Sequence, residues 1–377
     1  MKLSRDASYQ LLAARYVRKQ LKQLTGQLDG VRRAEDVEFV HRARVASRRL
    51  RAAMEMFDDC FGRKRLKRWQ KELRRFTRDL GSARDRDVHA QFVCQILSRL
   101  QKTEHCAGLA RLLVKLEHQR EETQPKVLDA IDRLSASPVL DEMAQTTRSL
   151  VSKLGKRGVQ VQSEFVFRQT EKHVLARMDE MLAYQDCLAD PDDQDGHHAM
   201  RIAAKRLRYT MEICRPVHNR RLDDHINTVK EVQGLLGEIH DCDVWADDLE
   251  RLLEEERRRI VKYYHHSGPL ARLQAGIEYL RQERQQQRRQ LFEKLVQYWE
   301  EVGRMGLWDD LVETVRLREA VSDQPEPIVA PPAGKKQRRP SAAWPKVGSD
   351  GDRGEPAPTS SRPASSAPTG RPHEEAH

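Results

Sequence analysis

The sequence predicts an all-α protein built from two related helical repeats, and three observations lead to this prediction. Leu, Arg, Glu, Gln and Ala dominate the 377 residues, and aromatic residues make up only 6% of them. Apolar residues recur with a period near 3.6, which is typical of amphipathic helices. A basic segment and a second motif each occur twice in the same order, which indicates a duplicated unit of about 150 residues.

The apolar period predicts helices that end at clusters of Gly, Pro, Asp and Ser such as LDG, ASP and ADPDDQDG. In the first half the predicted helices lie at about 6–29, 35–60, 64–80, 84–103, 106–135 and 138–154. In the second half they lie at about 163–189, 195–216, 222–237, 241–265 and 269–304. No segment predicts a strand convincingly.

The last part of the chain has a different composition. From Val321 onward it holds 11 of the 16 prolines and almost no periodic apolar residues, so we expect it to be disordered. It carries 8 Lys and Arg against 7 Asp and Glu, so nearly all of the net charge of +10 belongs to the residues before it. The predicted organisation is a first helical repeat at 1–157, a second at 158–318, and a Pro/Ser/Ala-rich tail at 319–377.

The repeated basic segment reads HRARVASRRLRAAMEMF from His41 and HHAMRIAAKRLRYTMEI from His197. The two copies align without a gap when His41 is matched to His198. Further along, LGSARDRDV from Leu80 matches LGEIHDCDV from Leu236. Two ordered motifs that both occur twice are a specific sign of duplication.

A helical wheel of the basic segment separates charge from apolar residues. Advancing about 100° per residue places Arg44, Arg48 and Arg51 in one stripe with His41, opposite a stripe of Ala, Leu, Met and Phe. The second copy gives the same wheel. Its cationic stripe consists of His198, Arg201, Lys205 and Arg208, and Arg49 and Arg206 flank the two stripes.

Stacked cations without interspersed acids indicate an anion site. Like charges three and four residues apart repel by a few tenths of a kcal/mol per pair, so a merely solvated face is the weaker interpretation. Arginine binds phosphate oxygens in bidentate fashion, and lysine and histidine add further donors. Phosphate is therefore the favoured ligand. Nucleic acid is a less favoured alternative, because no aromatic, Asn or Gln side chains are interleaved to contact bases.

The second motif supplies Asp85, Asp87, Asp241 and Asp243, and two interpretations are open. An Asp-x-Asp pair can hold Mg²⁺, as in a metal-dependent phosphohydrolase or an enzyme of polyphosphate metabolism. The favoured interpretation is that these acids cap a helix start and orient neighbouring arginines by ion pairing. Phosphate-cradling loops, GxSxG, HExxH and ExExK are absent from the sequence, so we predict no catalytic residues, no cofactor and no metal.

The six cysteines are scattered singly, without CxxC pairs, and no run of eighteen apolar residues occurs. We therefore expect a reduced, cytoplasmic protein that has no membrane partner.

HxxRxxxRRLR at His41 to Arg51 and HxxRxxxKRLR at His198 to Arg208, each followed by LGxx(R/H)DxDV, resemble the two signature regions of the CHAD domain family. The resemblance covers about residues 5 to 310. It implies one compact helical domain of two four-helix-bundle-like halves related by pseudo-twofold symmetry. It also implies binding of inorganic polyphosphate in a basic groove or channel between the halves, and for some members association with polyphosphate granules.

The resemblance also implies a set of polyphosphate-binding residues, to which Arg74, Arg75 and Lys230 on the next helix are second contributors. The full set is His41, Arg44, Arg48, Arg49, Arg51, Arg74, Arg75, His198, Arg201, Lys205, Arg206, Arg208 and Lys230. Which of these face the ligand, and in what oligomeric state, the sequence leaves open.

Overall fold

The computed structural model describes residues 6–34 and 36–316. These residues form α-helices joined by short connections and two 3₁₀ turns, and no strand occurs among them. The helices are α1 (Ala7–Thr25), α2 (Leu28–Arg33), α3 (Val37–Met56), α4 (Arg63–Asp79), α5 (Gly81–Ser98), α6 (Cys106–Ala136), α7 (Val139–Lys156), α8 (Glu164–Leu182), α9 (Gln194–Cys214), α10 (Asp223–Tyr264), α11 (Leu270–Arg304) and α12 (Leu307–Arg316).

The all-α prediction is confirmed, but the helices differ from the predicted ones most clearly at three places. The predicted break at LDG is wrong, because these residues begin the short helix α2. The helices predicted at 222–237 and 241–265 are a single helix of 42 residues, α10. The helix α12 was not predicted. The predicted disordered tail at 319–377 lies outside the described residues.

The fusion of two predicted helices into α10 has a simple physical reason. Gly237 costs the helix only about 1 kcal/mol relative to alanine and does not by itself end it. Leu236, Ile239 and Cys242 are all buried on either side of this glycine, so packing carries the helix through the position. In the first half the matching region is divided at Leu80 into α4 and α5.

The order of packing partners repeats between the halves. α1 contacts α3 and α7, and in the same way α8 contacts α9 and α12. α3 contacts α4 and α5 contacts α6, whereas α10 takes the place of both α4 and α5 and contacts both α9 and α11. The matching helices also meet each other directly, as α1 with α8, α3 with α9 and α6 with α11. These contacts are compatible with the predicted pseudo-twofold relation.

The apolar side chains form one large core shared by both halves and one smaller core. The smaller core lies where α5, α6, α10 and α11 meet, and Val93, Leu109, Leu249 and Ile277 are fully buried in it. All six cysteines are free thiols, and none of the described helices has the length and apolar character needed to cross a membrane.

Two glycines allow α6 and α11 to approach closely. A Cβ added at Gly276 would lie 2.1 Å from the backbone oxygen of His105, and one at Gly108 would lie 2.2 Å from that of Leu273. The two glycines are also each other's neighbours in this contact. Because backbone atoms cannot move away as a flexible side chain would, both positions require glycine.

Alanine substitutions at a glycine inside this contact and at a glycine outside it should have opposite effects on stability. Gly276→Ala is expected to destabilise the protein by about 2 kcal/mol, because the new methyl group overlaps backbone of the facing segment. Gly234→Ala, at a position in α10 where an added Cβ meets nothing within 4 Å, should instead stabilise it by about 0.5–1 kcal/mol. Chemical denaturation of both variants measures this, and equal stabilities would contradict the close approach of α6 and α11.

Candidate anion-binding site

The two repeated basic helices begin in the same way. The carboxylate of Asp36 accepts a hydrogen bond from the backbone N–H of Glu38 at 2.9 Å, and that of Asp193 accepts one from Gly196 at 2.8 Å. An aspartate at the N-cap satisfies a donor that the helix itself leaves unpaired. Both caps lie five residues before the repeated histidine, so α3 and α9 start in the same register.

The buried stripe that the wheel predicted is confirmed on both helices. It consists of Ala43, Ala46, Leu50, Ala53, Met54 and Phe57 in the first copy and Met200, Ala203, Leu207, Met211 and Cys214 in the second. The cationic faces on the opposite sides of the two helices therefore lie outside the shared core.

α3 and α9 contact each other, and four cations from the two halves meet there. They are Arg48 and Arg51 of α3 and Arg201 and Lys205 of α9, and together they are called the central cluster. Arg48 is close enough to act electrostatically on each of the other three. All four side chains are partly buried.

The pKa of Lys205 shows how strongly positive this region is. Burial and the charges of Arg48, Arg201, Arg206 and Arg51 lower the pKa of Lys205 from 10.5 to about 8. Partial removal of water disfavours a charged ammonium, and neighbouring guanidinium groups disfavour it further. The ammonium is thus held in an unfavourable electrostatic environment that a bound anion would relieve.

No acidic side chain forms an ion pair with this cluster in the described part of the chain, although the charge of Asp241 acts on Arg201 and that of Glu55 on Arg51. Within the described ranges 6–34 and 36–316, no carboxylate oxygen lies within 4.0 Å of a charged nitrogen of the central cluster. The buried Nε of Arg201 has no hydrogen-bond partner among the described residues. Buried donors without partners are uncommon and costly, so this one marks a place for an acceptor.

In the first half, Arg44, His41 and Arg84 extend the positive region. The guanidinium of Arg44 donates from Nη1 to the backbone oxygen of Thr77 at 3.2 Å, at the end of α4. An added Cβ at Gly81 would lie 2.8 Å from this nitrogen, so the glycine of LGSARDRDV makes room for the arginine. Burial, followed by Arg84, lowers the pKa of His41.

In the second half, His198 and His240 take the corresponding places. Their rings lie 4.7 Å apart, and Arg201 Nη2 donates to His198 Nδ1 at 3.3 Å. Burial, Arg201 and His198 lower the pKa of His240 to about 4, and burial followed by Arg201 and Lys205 lowers that of His198. Without a ligand, both rings are therefore neutral at physiological pH.

The other predicted arginines of the motif are paired with acids. Arg49 Nε donates to Glu212 at 2.9 Å, and Arg208 donates to the same carboxylate at 2.7 Å. Arg206 pairs with Glu180. These three arginines link helices within the protein, whereas the central cluster has no such partners.

The three residues predicted as second contributors also differ in their position relative to the central cluster. Arg74 acts electrostatically on Arg51 and so borders the central cluster. Arg75 and Lys230 are exposed, and no described ion pair or hydrogen bond involves either of them. Ligand contact by any of the thirteen residues stays a prediction.

The prediction that the four aspartates cap a helix start is wrong. Asp85 and Asp87 lie beyond the first turn of α5, which has no side-chain cap, and Asp241 and Asp243 lie in the middle of α10. In the second half the expected helix break at Gly237 does not exist, and in the first half α5 begins at Gly81, four residues before Asp85.

Two of these aspartates hold arginines, as expected from ion pairing, although the arginines come from other helices. Asp87 accepts from Arg120 of α6 at 2.7 Å, and Asp243 accepts from Arg288 of α11 at 2.5 Å. Burial raises the pKa of Asp241 to about 6, while the charge of Arg201 opposes the rise. Groups of three or more His, Cys, Asp or Glu able to share a metal ion do not occur in the described part of the chain.

The comparisons with known proteins identify the family. A family model of the CHAD domain matches residues 15–250, which is well over half of the chain. The chain belongs to the CHAD domain family. The match is shorter than the range of 5 to 310 over which the resemblance extends, and it includes both copies of the basic helix.

Individual relatives of this CHAD protein are distant. The uncharacterized protein MT2285 of Mycobacterium tuberculosis is 27% identical over 225 residues, which are 55% of this chain and 39% of that protein. The chain therefore spans about two fifths of that relative. The CHAD domain structure from the plant Ricinus communis is 22% identical, covers 74% of this chain and 94% of its own, and has a TM-score of 0.49. PptA from Streptomyces chartreusis is 16% identical, covers 77% of this chain and 99% of its own, and supports the fold with a TM-score of 0.52.

Sequence reasoning did not include Arg84 and His240 among the site residues. They occupy matching positions in the two copies of LGxx(R/H)DxDV. Arg84 Nη1 is buried without a hydrogen-bond partner among the described residues, and His240 lies against His198. The signal was present in the second motif, because both of its copies carry a basic or protonatable residue immediately before the first aspartate.

The charge on Lys205 is expected to lower the stability of the ligand-free protein. Lys205→Met should stabilise the fold at pH 7 by about 1–2 kcal/mol, because it removes an ammonium whose pKa is lower in the folded state than in the unfolded chain. Since the unfolded chain binds more protons between pH 8 and 10.5, the wild type gains stability as pH rises through this window, and the advantage of Lys205→Met disappears above it. Unfolding at pH 7 and pH 10.5 measures both effects.

Lys230→Met is the control for that comparison, because this lysine is exposed on α10. It should change stability by less than about 0.5 kcal/mol. A Lys205→Met variant no more stable than the control at pH 7 would contradict the unfavourable position of the charge.

Proposed function

We propose that this CHAD protein binds inorganic polyphosphate at the central cluster, with His41, Arg44, Arg84, His198 and His240 at its ends, and that it does so without catalysis. The single observation that carries the proposal is the meeting, at the contact of α3 and α9, of four cations from both halves that have no ion-pair partner among the described residues. Membership of the CHAD domain family also supports polyphosphate as the ligand.

Polyphosphate suits this arrangement for electrostatic and geometric reasons. Each phosphate unit of the polymer carries a negative charge, and cations of α3 and α9 lie close together at the contact of the two helices. Guanidinium groups can bind the oxygens in pairs, and the bound chain would supply an acceptor for the buried Nε of Arg201. A long chain engages both halves at once, so affinity should increase with chain length and decrease with salt.

A non-catalytic role is supported by the way the aspartates are used. A metal-assisted phosphohydrolase needs several carboxylates directed at one ion. Asp87 and Asp243 are instead bound to Arg120 and Arg288. In a cell that stores polyphosphate, binding of this kind would also hold the protein on polyphosphate granules.

Removing the charges of the central cluster should weaken binding strongly. Neutralising Arg48, Arg51, Arg201 and Lys205 together to Gln should weaken the binding of long-chain polyphosphate at least about a hundredfold, because charged hydrogen bonds contribute roughly 1.5–3 kcal/mol each. Calorimetry or fluorescence titration at fixed salt measures the loss, and circular dichroism verifies the helical content.

A matched control removes the same charge elsewhere. Lys126, Lys153, Lys156 and Arg157 are exposed and take part in no described salt bridge. Changing these four to Gln should weaken binding no more than about tenfold, through long-range attraction alone. Equal losses in the two variants would show that net charge, and not the cluster, determines binding. Tighter binding of duplex DNA than of polyphosphate at matched ionic strength would favour the nucleic-acid alternative.

The second prediction concerns protons. Because a bound polyanion favours the charged form of a nearby base, it should raise the lowered pKa of Lys205, and binding at pH 8.5 should take up protons. Affinity should therefore fall as pH rises from 7 to 9. Titration calorimetry in buffers of different ionisation enthalpy counts the protons taken up.

Lys205→Arg provides the decisive comparison for that measurement. The guanidinium remains charged at pH 8.5, so this variant should bind polyphosphate with similar affinity. On binding at this pH it should take up fewer protons than the wild type, and the difference should be at most the one proton that Lys205 accepts. Undiminished proton uptake in Lys205→Arg would contradict the assignment of the proton to Lys205.

A further inference from the structure

A groove of about 700 Å³ opens between α1, the end of α9 and the beginning of α10. Of the thirteen residues predicted from the sequence for polyphosphate binding, only Arg49 borders it. The volume is in the range of sites that bind small organic molecules. None of the four residues of the central cluster lines the groove.

The floor of the groove carries two buried polar groups without partners. Tyr16 and Gln20 lie one turn apart on α1 and are only 9% and 3% exposed. The hydroxyl of Tyr16 and Oε1 of Gln20 have no hydrogen-bond partner among the described residues. A buried polar group without a hydrogen-bond partner destabilises the fold, and Phe and Leu at the same positions would avoid this cost. Their presence points to a ligand that supplies the missing partners.

The chemistry of the floor describes one end of that ligand. Burial, and next the charge of Glu212, raises the pKa of the Tyr16 phenol, so its hydroxyl stays protonated and can donate. The amide of Gln20 offers a donor and an acceptor on neighbouring atoms, which matches the edge of a planar heterocycle such as adenine. An inorganic phosphate chain carries no N–H group and cannot satisfy an amide oxygen.

The rim of the groove describes the other end. Arg15 and Lys19 are exposed one turn apart on α1, and neither takes part in a described salt bridge. Across the groove, Arg215 and Arg220 both pair with Asp223, at 2.5 Å and 3.3 Å. Arg15 and Lys19 thus face two arginines that share a single carboxylate, so the rim carries a net positive charge. A small anion such as one phosphate group suits this rim.

Between floor and rim the walls are apolar, and the connection from α9 to α10 is strained. Leu12, Val161 and Ile226 line the walls. In the connection, Asn219 and Arg220 have φ of 47° and 67°, a left-handed conformation that residues other than glycine and asparagine rarely adopt. Strain of this kind persists where the surroundings hold it and concentrates at binding sites.

We propose that this groove binds a nucleoside monophosphate, with the base on Tyr16 and Gln20 and the phosphate at Arg15 and Lys19. The site goes beyond the proposed binding of polyphosphate and does not depend on it. The protein would thus hold a nucleotide and a phosphate polymer at separate places.

Titration of the full chain with adenosine monophosphate tests the proposal, in the presence of enough long-chain polyphosphate to saturate its own site. Adenosine monophosphate should still bind, and adenosine and ribose 5-phosphate, which each lack one end, should bind at least about tenfold more weakly. No binding of adenosine monophosphate to the folded protein would overturn the proposal.

A double variant locates the binding. Tyr16→Phe with Gln20→Leu removes groups that have no partner in the structure, so the fold should be at least as stable as the wild type. Its affinity for adenosine monophosphate should fall at least about tenfold, while its affinity for polyphosphate stays unchanged. Lys205→Met should show the reverse pattern.

Unchanged affinity of the double variant for adenosine monophosphate would overturn the assignment to this groove. The two proposals fail separately. A chain that does not bind polyphosphate but binds adenosine monophosphate in a manner dependent on Gln20 loses only the first.

Discussion

Repulsion among cations held at the contact of α3 and α9 is the constraint on which the rest of this structure depends. Arg48, Arg51, Arg201 and Lys205 come together from two halves of the chain, and none of the four forms an ion pair within 4.0 Å with a carboxylate of the described residues. Such an arrangement opposes folding, since burial and like charge both disfavour an ammonium or guanidinium. It persists because other contacts between the halves are strong enough to hold the two helices in place.

Those contacts lie on either side of the central cluster. Glu212 of α9 binds both Arg49 of α3 and Arg208 of its own helix, so a carboxylate joins the halves directly beside the cations. Further away, Gly108 and Gly276 let α6 and α11 cross with their backbones close together. A core shared by both halves completes the support. The motif arginines therefore divide into those that are paired with acids within the fold and those that have no acidic partner within 4.0 Å in the described residues.

The two halves are similar in plan and different in chemistry. In the first half, Arg44 lies against Gly81 at the junction of α4 and α5, and Arg84 stands beside His41. In the second half, α10 runs through the corresponding junction and His240 stands in the place of Arg84. The first end thus carries one imidazole of lowered pKa, His41, whereas the second carries two, His198 and His240.

The sequence by itself determined the helical class, the duplication, the stripe that each basic helix buries and the candidate cations. It could do so because helical period and repeated spacing are local properties of the chain. The continuity of α10 and the partners of the acids were beyond it, because packing on other helices outweighs one glycine and because Arg120 and Arg288 are distant in sequence from Asp87 and Asp243. Likewise, Arg48 and Lys205 have similar places in their repeats, as do Arg51 and Arg208, yet only Arg208 has an acidic partner. Which cations are paired and which are left uncompensated depends on where helices from both halves meet, and only the tertiary structure decides that.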